Sequence, residues 1–422
     1  MIMPSLKKVL CLVLLCFVNS AFAPVFANEP LLQNNYAVEL LQNKEYEKAL
    51  EYFQDAYHLY PNDLTIKKNL AFAYVMVGEQ FMGKGRFAEA ADKYDHAGEL
   101  YPDDPKLKLL RGIALYALKD YDNARFEFDR AIALGGETPE TLFHLGRVYY
   151  DTGETDRALQ LWEKALQLAP DNQDLQAILE KTRREAAVES AMGKGHGGKF
   201  LVTYDTAVPR DTADRIIDLL EGYYNSVGYD LGRYPQAKVP VILYARKDYK
   251  NITSSPDWSG GVYDGKIRIP ADAIGEISPR IRATLRHEYT HAVVYDMTRG
   301  NCPVWLNEGL AEVEGRMEYD TPIVEAPRAL KDGTFKPMKS LEGSFIGLER
   351  KSALLAYEQS YLMVKFMIKS YGWHKIQELL NALGSGLDIG AAFVKALGEY
   401  GLDYQKAQDE FMESVRKDLS DS

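Results

Sequence analysis

The feature that most constrains the fold is a pattern of small and aromatic residues that recurs across residues 30–170. Each copy has a small residue, an aromatic residue four positions later and a second small residue three positions after that. The copies begin at Ala49, Ala90, Ala124 and Ala158. The last two steps are 34 residues each and the first is 41. Small residues seven apart share one helix face, so the pattern predicts closely packed helix pairs with an aromatic ring between them.

This pattern resembles the tetratricopeptide repeat, a helix pair that stacks on its neighbours into an array. The resemblance implies four repeats over residues 28–190, with a concave surface that binds a peptide or a partner protein. We expect the longer first step to lie in a longer loop near Gly78–Gly85. Residues 173–190 are predicted to form a capping helix with a polar face.

A glycine-rich stretch follows the repeats. The sequence MGKGHGGK, residues 192–199, has four glycines in eight positions. Glycine is unfavourable inside helices and strands. The stretch therefore predicts a linker over 191–199 and a separable second domain over 200–422, with the first protease cuts in the linker.

The second domain is predicted to hold a small sheet followed by helices. Strands are predicted at 199–205 and 239–245, with a helix between them at about 210–227. A hairpin is predicted at 260–270. Asp264-Gly265 between β-forming residues is a strong hairpin-turn signal. The predicted fold class is an all-α repeat array followed by an α+β domain.

The stretch LRHEYTHAVV, residues 285–294, carries two histidines four positions apart. Ser278 is a good helix N-cap, which places this stretch in a helix interior. His287 and His291 then share a helix face and can reach one metal ion, with Glu288 beside them. A catalytic zinc site needs a third protein ligand and an open position.

A second motif follows in VWLNEGLAEVEG, residues 304–315. Its Trp-Leu-Asn-Glu-Gly segment resembles the second motif of the gluzincin metallopeptidases. The resemblance implies one Zn²⁺ per chain, with His287, His291 and Glu308 as ligands. It also implies that Glu312 holds His287, because a metal-bound imidazole usually donates its other N–H to such a group.

The stretch AYEQSYLMVKFM, residues 356–367, resembles the Tyr-Glu-Lys-Gly segment of the aminopeptidase branch. In that family the tyrosine donates a hydrogen bond to the oxyanion. The resemblance implies this catalytic role for Tyr357. Gln359 and Ser360 replace the family's Lys-Gly, and Tyr361, one turn later, is the competing candidate.

Together, residues 200–422 resemble a peptidase-MA-like gluzincin domain. The resemblance implies a zinc-dependent peptidase in which Glu288 is the general base. We favour an endopeptidase over an aminopeptidase, because the hairpin turn should point Asp264 at solvent instead of at a substrate amine. The alternative is a repeat-based binding or scaffold protein with an inactive or structural metal site.

The first residues predict export. A short basic region precedes an apolar stretch in residues 1–27, which is typical of a signal peptide, here cleaved after Ala23 or Ala27. We expect a periplasmic or extracellular protein with no membrane insertion after cleavage. Only Cys302 would remain, which excludes an intrachain disulfide. The net charge of −11 argues against a nucleic-acid partner.

Overall fold

The computed structural model describes residues 29–253, 260–270, 277–345 and 347–420. The predicted signal peptide, residues 1–27, lies outside them. Chain packing divides the protein into two compact units, Met1–Tyr74 and Val75–Ser422. No helix in the described ranges is long and apolar enough to cross a membrane.

Helix pairs make up the first part of the chain, which confirms the predicted helical repeat array. The helices are α1 (Glu29–Gln42), α2 (Tyr46–Leu59), α3 (Leu64–Gly83), α4 (Phe87–Leu100), α5 (Pro105–Ala117), α6 (Tyr121–Ala133), α7 (Pro139–Asp151), α8 (Thr155–Leu168) and α9 (Gln173–Glu189). The last of them, α9, covers the residues predicted to form the capping helix.

A glycine in the first helix of a repeat packs against the aromatic ring of the second. A Cβ atom on Gly112 would lie 2.6 Å from the Phe128 ring, and one on Gly146 would lie 2.3 Å from Trp162. The turn between the two helices holds one left-handed residue in every repeat. These residues are Lys44, Gly85, Lys119 and Gly153.

The longer first step is not a longer loop, so that expectation is wrong. The extra residues extend α3, which has 20 residues, whereas α5 and α7 have 13 each. Residues 64–83 contain no proline, and glycine only at Gly78 and Gly83. The helix therefore continues because no residue in its interior breaks it strongly.

The second part of the chain begins with a five-stranded sheet, as the α+β prediction requires. Its elements are β1 (Gly193–His196), β2 (Phe200–Tyr204), α10 (Arg210–Leu231), β3 (Val239–Tyr244), α11 (Arg246–Thr253), β4 (Val262–Tyr263) and β5 (Ile267–Pro270). The spatial order is β1-β2-β3-β5-β4. The β2/β3 and β3/β5 pairs are parallel, and both outer pairs are antiparallel.

The glycine-rich stretch is not a free linker, which corrects the expectation for 191–199. Residues 193–196 form β1 and pair with β2. Glycine fits here because the Tyr204 ring would lie 2.6 Å from a Cβ atom on Gly193. The capping helix and the sheet also lie in the same compact unit, Val75–Ser422.

Helices complete the second part and share one hydrophobic core with the sheet. They are α12 (Pro279–Thr298), α13 (Val304–Arg316), α14 (Glu325–Lys331), α15 (Arg350–Tyr371), α16 (Trp373–Gly384), α17 (Ile389–Leu397) and α18 (Tyr404–Ser420). One core joins β-strand residues such as Phe200 and Val241 to helix residues such as Leu285, Trp305 and Met363. This core fixes α12, α13 and α15 relative to the sheet.

Candidate metal centre

Helix α12 begins as the sequence predicted. The Ser278 hydroxyl accepts a hydrogen bond from the Ile281 N–H at 3.3 Å, and Pro279 is the first helical residue. The helix ends at Thr298, followed by Arg299 in the left-handed conformation. The motif histidines are therefore held on a continuous helix.

Three candidate ligand atoms converge between α12 and α13. The Nε2 atoms of His287 and His291 lie 3.2 Å apart. The Glu308 Oε2 atom lies 3.6 Å from the first and 3.5 Å from the second. Ligands about 2.0–2.1 Å from a tetrahedral zinc lie roughly 3.3 Å from one another. The donor set and its spacing thus fit Zn²⁺.

Two glycines let α13 approach both of its neighbours. A Cβ atom on Gly309 would lie 2.4 Å from the Ser360 carbonyl oxygen of α15. A Cβ atom on Gly315 would lie 3.2 Å from the Ala283 carbonyl oxygen of α12 and 3.4 Å from the His287 Cβ. The glycine of the Asn-Glu-Gly motif is therefore needed for helix packing beside the candidate ligand.

Polar neighbours orient both imidazoles. The His291 Nδ1 atom lies 3.0 Å from Asn307 Oδ1, and donation from Nδ1–H leaves Nε2 free for a metal. Glu312 Oε1 lies 3.6 Å from His287 Nδ1, and the Arg316 guanidinium holds Glu312 at 3.1 Å. Glu312 was predicted from the sequence, whereas Asn307 was not, although Asn307 stands inside the Trp-Leu-Asn-Glu-Gly motif.

Mutual interactions shift the pKa of all three ligand groups. Burial lowers the pKa of His291, but the Glu308 charge and hydrogen bond outweigh burial and raise it to about 9. The pKa of His287 is raised against burial by the same carboxylate. Burial opposes ionisation of Glu308, yet the two imidazoles hold its pKa well below the usual range. This arrangement is a site for positive charge.

Glu288 lies beside the ligands on α12 and is 5% exposed. Burial raises the pKa of its carboxyl group, while the two imidazoles partly oppose that shift. A Cβ atom on Gly261, just before β4, would lie 2.8 Å from the Glu288 Cγ atom. The hairpin backbone therefore forms one wall of the space around Glu288.

The structure separates the two tyrosine candidates. Tyr357 packs edge-on against Phe345, with ring centroids 5.5 Å apart. Burial raises its pKa well above the usual range, and the charges of Glu308 and Glu288 raise it further. Tyr361 instead stacks on the Arg316 guanidinium, 4.2 Å from the ring centroid.

The hairpin prediction is confirmed, and Asp264 is exposed at the turn as expected, but two cationic partners also hold it. Gly265 at the turn has a φ of 102°. Asp264 does not simply face solvent, because it accepts from Lys181 at 2.8 Å and from Arg268 at 3.0 Å. These charges outweigh burial and lower the pKa of Asp264. The sequence could not reveal this, because Lys181 belongs to the capping helix.

Comparison with known families agrees with the two-part architecture. Residues 228–417 match the Peptidase MA superfamily. Residues 78–140 and 139–172 match tetratricopeptide repeat families.

Individual relatives match smaller parts of the chain. The BBSome complex member BBS4 of Mus musculus is 28% identical over 170 residues, which is 39% of this chain and 31% of that protein. The Hsp70-Hsp90 organizing protein of Triticum aestivum is 29% identical over 110 residues, 26% of this chain and 19% of that protein. The chain thus spans less than a third of either relative's length.

Similar solved structures include repeat proteins. A thermophilic TPR protein of Thermus thermophilus is 25% identical, with a TM-score of 0.24, over 36% of this chain and 98% of that one. YrrB, a TPR protein with an unusual peptide-binding site, is 22% identical, with a TM-score of 0.32, over 38% of this chain and 79% of that one.

Proposed function

We propose that this chain, which joins tetratricopeptide repeats to a Peptidase MA superfamily domain, is an exported zinc-dependent peptidase. The observation that carries the proposal is the convergence of His287, His291 and Glu308, whose ligand atoms all lie within 4.8 Å of one another. Glu288 lies beside them in a buried position that suits a general base.

The chain's own residues supply most of the proposed chemistry. Zinc, when bound, supplies Lewis acidity that polarises a peptide carbonyl and activates water. Glu288 accepts the proton of the attacking water and passes it to the leaving amine. Its raised pKa brings that carboxyl group closer to the operating pH. Tyr357 keeps its proton and donates to the developing oxyanion.

The contacts of Asp264 favour an endopeptidase. A carboxylate that binds a substrate's free amine must be available, whereas Asp264 already pairs with Lys181 and Arg268. With Asp264 engaged in this way, an extended substrate can pass the site with residues on both sides of the cleaved bond. The repeats would bind the polypeptide substrate or a protein partner, as such arrays commonly do.

Metal analysis tests the ligand assignment. The purified protein should hold one zinc per chain, and His287→Ala and Glu308→Ala should lose it. Glu288→Gln should retain zinc while hydrolysis of an unstructured protein such as casein falls by at least ~10². Zinc retained in both ligand variants would remove the assignment, and an active Glu288→Gln variant would remove the mechanism. An inactive wild-type protein with zinc bound would favour the binding or scaffold alternative.

Blocked peptides test the type of cleavage. We expect internal cuts in both the free and the N-acetylated form of one peptide. Release of single N-terminal residues, abolished by acetylation, would show an aminopeptidase.

The proposal that the protein is exported rests on its N-terminal residues 1–27 alone. Mass spectrometry of the protein recovered from the host's extracytoplasmic fraction should show a chain that starts after Ala23 or Ala27. A protein that keeps residues 1–27 and stays in the cytoplasm would contradict this part of the proposal.

A further inference from the structure

A buried arginine joins the hairpin to the repeat helices. Arg268 on β5 is fully buried. Its guanidinium donates to Glu185 of α9 at 2.9 Å and to the Tyr150 hydroxyl of α7 at 3.1 Å. It also donates to Asp264 in the hairpin turn at 3.0 Å. One side chain therefore holds two helices of the array and the β4–β5 hairpin.

Further contacts surround this arginine. The Tyr150 hydroxyl donates to Glu185 at 2.6 Å, and Lys181 of α9 pairs with Asp264 at 2.8 Å. Lys266, also buried, lies 3.7 Å above the Tyr150 ring and 3.8 Å from a Glu185 oxygen. Buried charges are tolerated only with well-placed partners. The position of the hairpin is thus tied to α7 and α9.

The same hairpin borders the candidate base. It is the last strand pair in the sheet order, so its outer side has no neighbouring strand among the described residues. Gly261 precedes β4. Its backbone lies so close to Glu288 that a Cβ atom on residue 261 would clash with the Glu288 side chain. A small shift of the hairpin would therefore change the space that is available to the Glu288 side chain.

A second contact reaches the metal-binding helix from the repeats. Lys119, in the turn between α5 and α6, pairs with Asp296 of α12 at 2.9 Å. Asp296 has a largely buried side chain and also pairs with Arg233 at 2.6 Å. Lys119 has a φ of 60°, a conformation that favours glycine. Its ion pair with α12 is a contact that glycine could not make.

We infer that the repeat array is a structural part of the active centre, and that Arg268, Lys181 and Lys119 are positioning residues. They fix the hairpin, which borders Glu288, and α12, which carries Glu288. The inference deepens the proposed function, because it rests on Glu288 as the base. Lys181 contacts the hairpin and not Glu288, so its role would be to position the hairpin beside Glu288.

The test uses mild variants of the full-length protein. Lys181→Ala removes the contact with Asp264. Tyr150→Phe removes a hydroxyl that is hydrogen-bonded to both Arg268 and Glu185. Lys181→Arg keeps the charge. The matched control is Lys164→Ala, which breaks a 2.7 Å ion pair to Glu137 within the repeats. Zinc content, kcat, KM and backbone amide exchange over residues 260–268 are measured for each.

Zinc content should stay at the wild-type value in all variants. We expect kcat to fall about tenfold or more in Lys181→Ala and Tyr150→Phe, because small misplacements of catalytic groups are costly. Amide exchange of the hairpin should become faster in both. Lys181→Arg and Lys164→Ala should behave like the wild type.

Wild-type kcat and exchange in both mild variants would overturn the inference. So would an equal loss of kcat in Lys164→Ala, since that loss would be a general effect on the repeats. Amide exchange needs no turnover. If the wild-type protein is inactive, faster hairpin exchange still supports the positioning role, while the proposed function fails.

Discussion

Neighbouring groups closely limit the space around the Glu288 side chain. Within the described ranges, Gly261 is the residue whose missing side chain leaves room for the Glu288 stem, with a Cβ-to-Cγ distance of only 2.8 Å. Ile269 lies at 2.9 Å from the same hypothetical Cβ. A methyl group at position 261 therefore cannot be accommodated without moving Glu288 or the hairpin.

We predict that Gly261→Ala keeps zinc but loses activity by roughly 10². The control is Gly222→Ala in α10, where a Cβ atom would meet nothing within 4 Å. Peptide hydrolysis and elemental analysis of both variants check the prediction. Wild-type activity in Gly261→Ala would show that the hairpin does not constrain Glu288.

Tyr357 and Tyr361 give a second comparison at the residue scale. We predict that Tyr357→Phe lowers kcat by about 10² with little change in KM, because only the oxyanion donor is lost. Tyr361→Phe keeps the ring that stacks on Arg316 and should retain activity. The reverse result would transfer the oxyanion role to Tyr361.

At the scale of the element, α7 contains a partly buried histidine whose buried Nδ1 atom is not hydrogen-bonded within the described residues. His144 stacks on Phe128 with ring centroids 6.0 Å apart, and its Nδ1 atom has no hydrogen-bond partner within the described part of the chain. Burial, together with the nearby charge of Arg147, lowers the pKa of His144 to about 4. The repeat therefore holds this imidazole in its neutral form.

This histidine should make the repeats sensitive to acid. The unfolded chain takes up a proton at the ordinary histidine pKa of about 6.5, whereas the folded chain does so only near pH 4. The contribution of His144 to the free energy of unfolding is therefore fully present above pH 6.5. It falls by about 3 kcal/mol as the pH falls towards 4. Denaturant unfolding at pH 7 and pH 4.5 should show a smaller loss for His144→Leu. Equal losses in both proteins would contradict the prediction.

The polar face of α9 has a specific role. The sequence predicted a capping helix whose polar face ends the array. Glu185 and Lys181 on that face instead contact Arg268 and Asp264 of the hairpin. Charged residues on this helix are therefore part of an internal contact.

At the scale of the whole molecule, the domain that matches the Peptidase MA superfamily should not be separable from the repeats. Residues 191–422 expressed alone would lose Glu185 and Tyr150 as partners of Arg268, and would expose the sheet residues Ile242 and Tyr244, against which Val188 of α9 packs. We predict that thermal unfolding of this fragment is broad and occurs at a lower temperature than that of the same region in the intact chain.

Replacing the charge distinguishes this cause from general truncation damage. Arg268→Met should destabilise the full-length protein, because the buried Glu185 and the hairpin residue Asp264 each lose one of their partners. The same change should alter the unfolding temperature of the fragment much less, because Arg268 has no Glu185 or Tyr150 to contact there. A fragment that unfolds cooperatively and is destabilised by Arg268→Met would show that the domains are independent.

The sequence by itself determined the features that depend on local spacing. A 34-residue period defines the repeats, and two histidines four apart share a helix face because an α-helix has 3.6 residues per turn. Ser278 and Asp264-Gly265 likewise predicted a helix start and a turn, because capping and turn chemistry act over a few residues.

Only the tertiary structure decided the contacts between distant segments. Lys181 and Asp264 are 83 positions apart, and Arg268 and Tyr150 are 118 apart. Whether a polar residue at such a distance meets solvent or a partner depends on how complete elements pack. The same holds for β1, since glycines accept a strand only where a neighbouring strand supplies hydrogen bonds, as β2 does here. Local pattern therefore identified the candidate metal-binding residues, whereas packing made the repeats part of their surroundings.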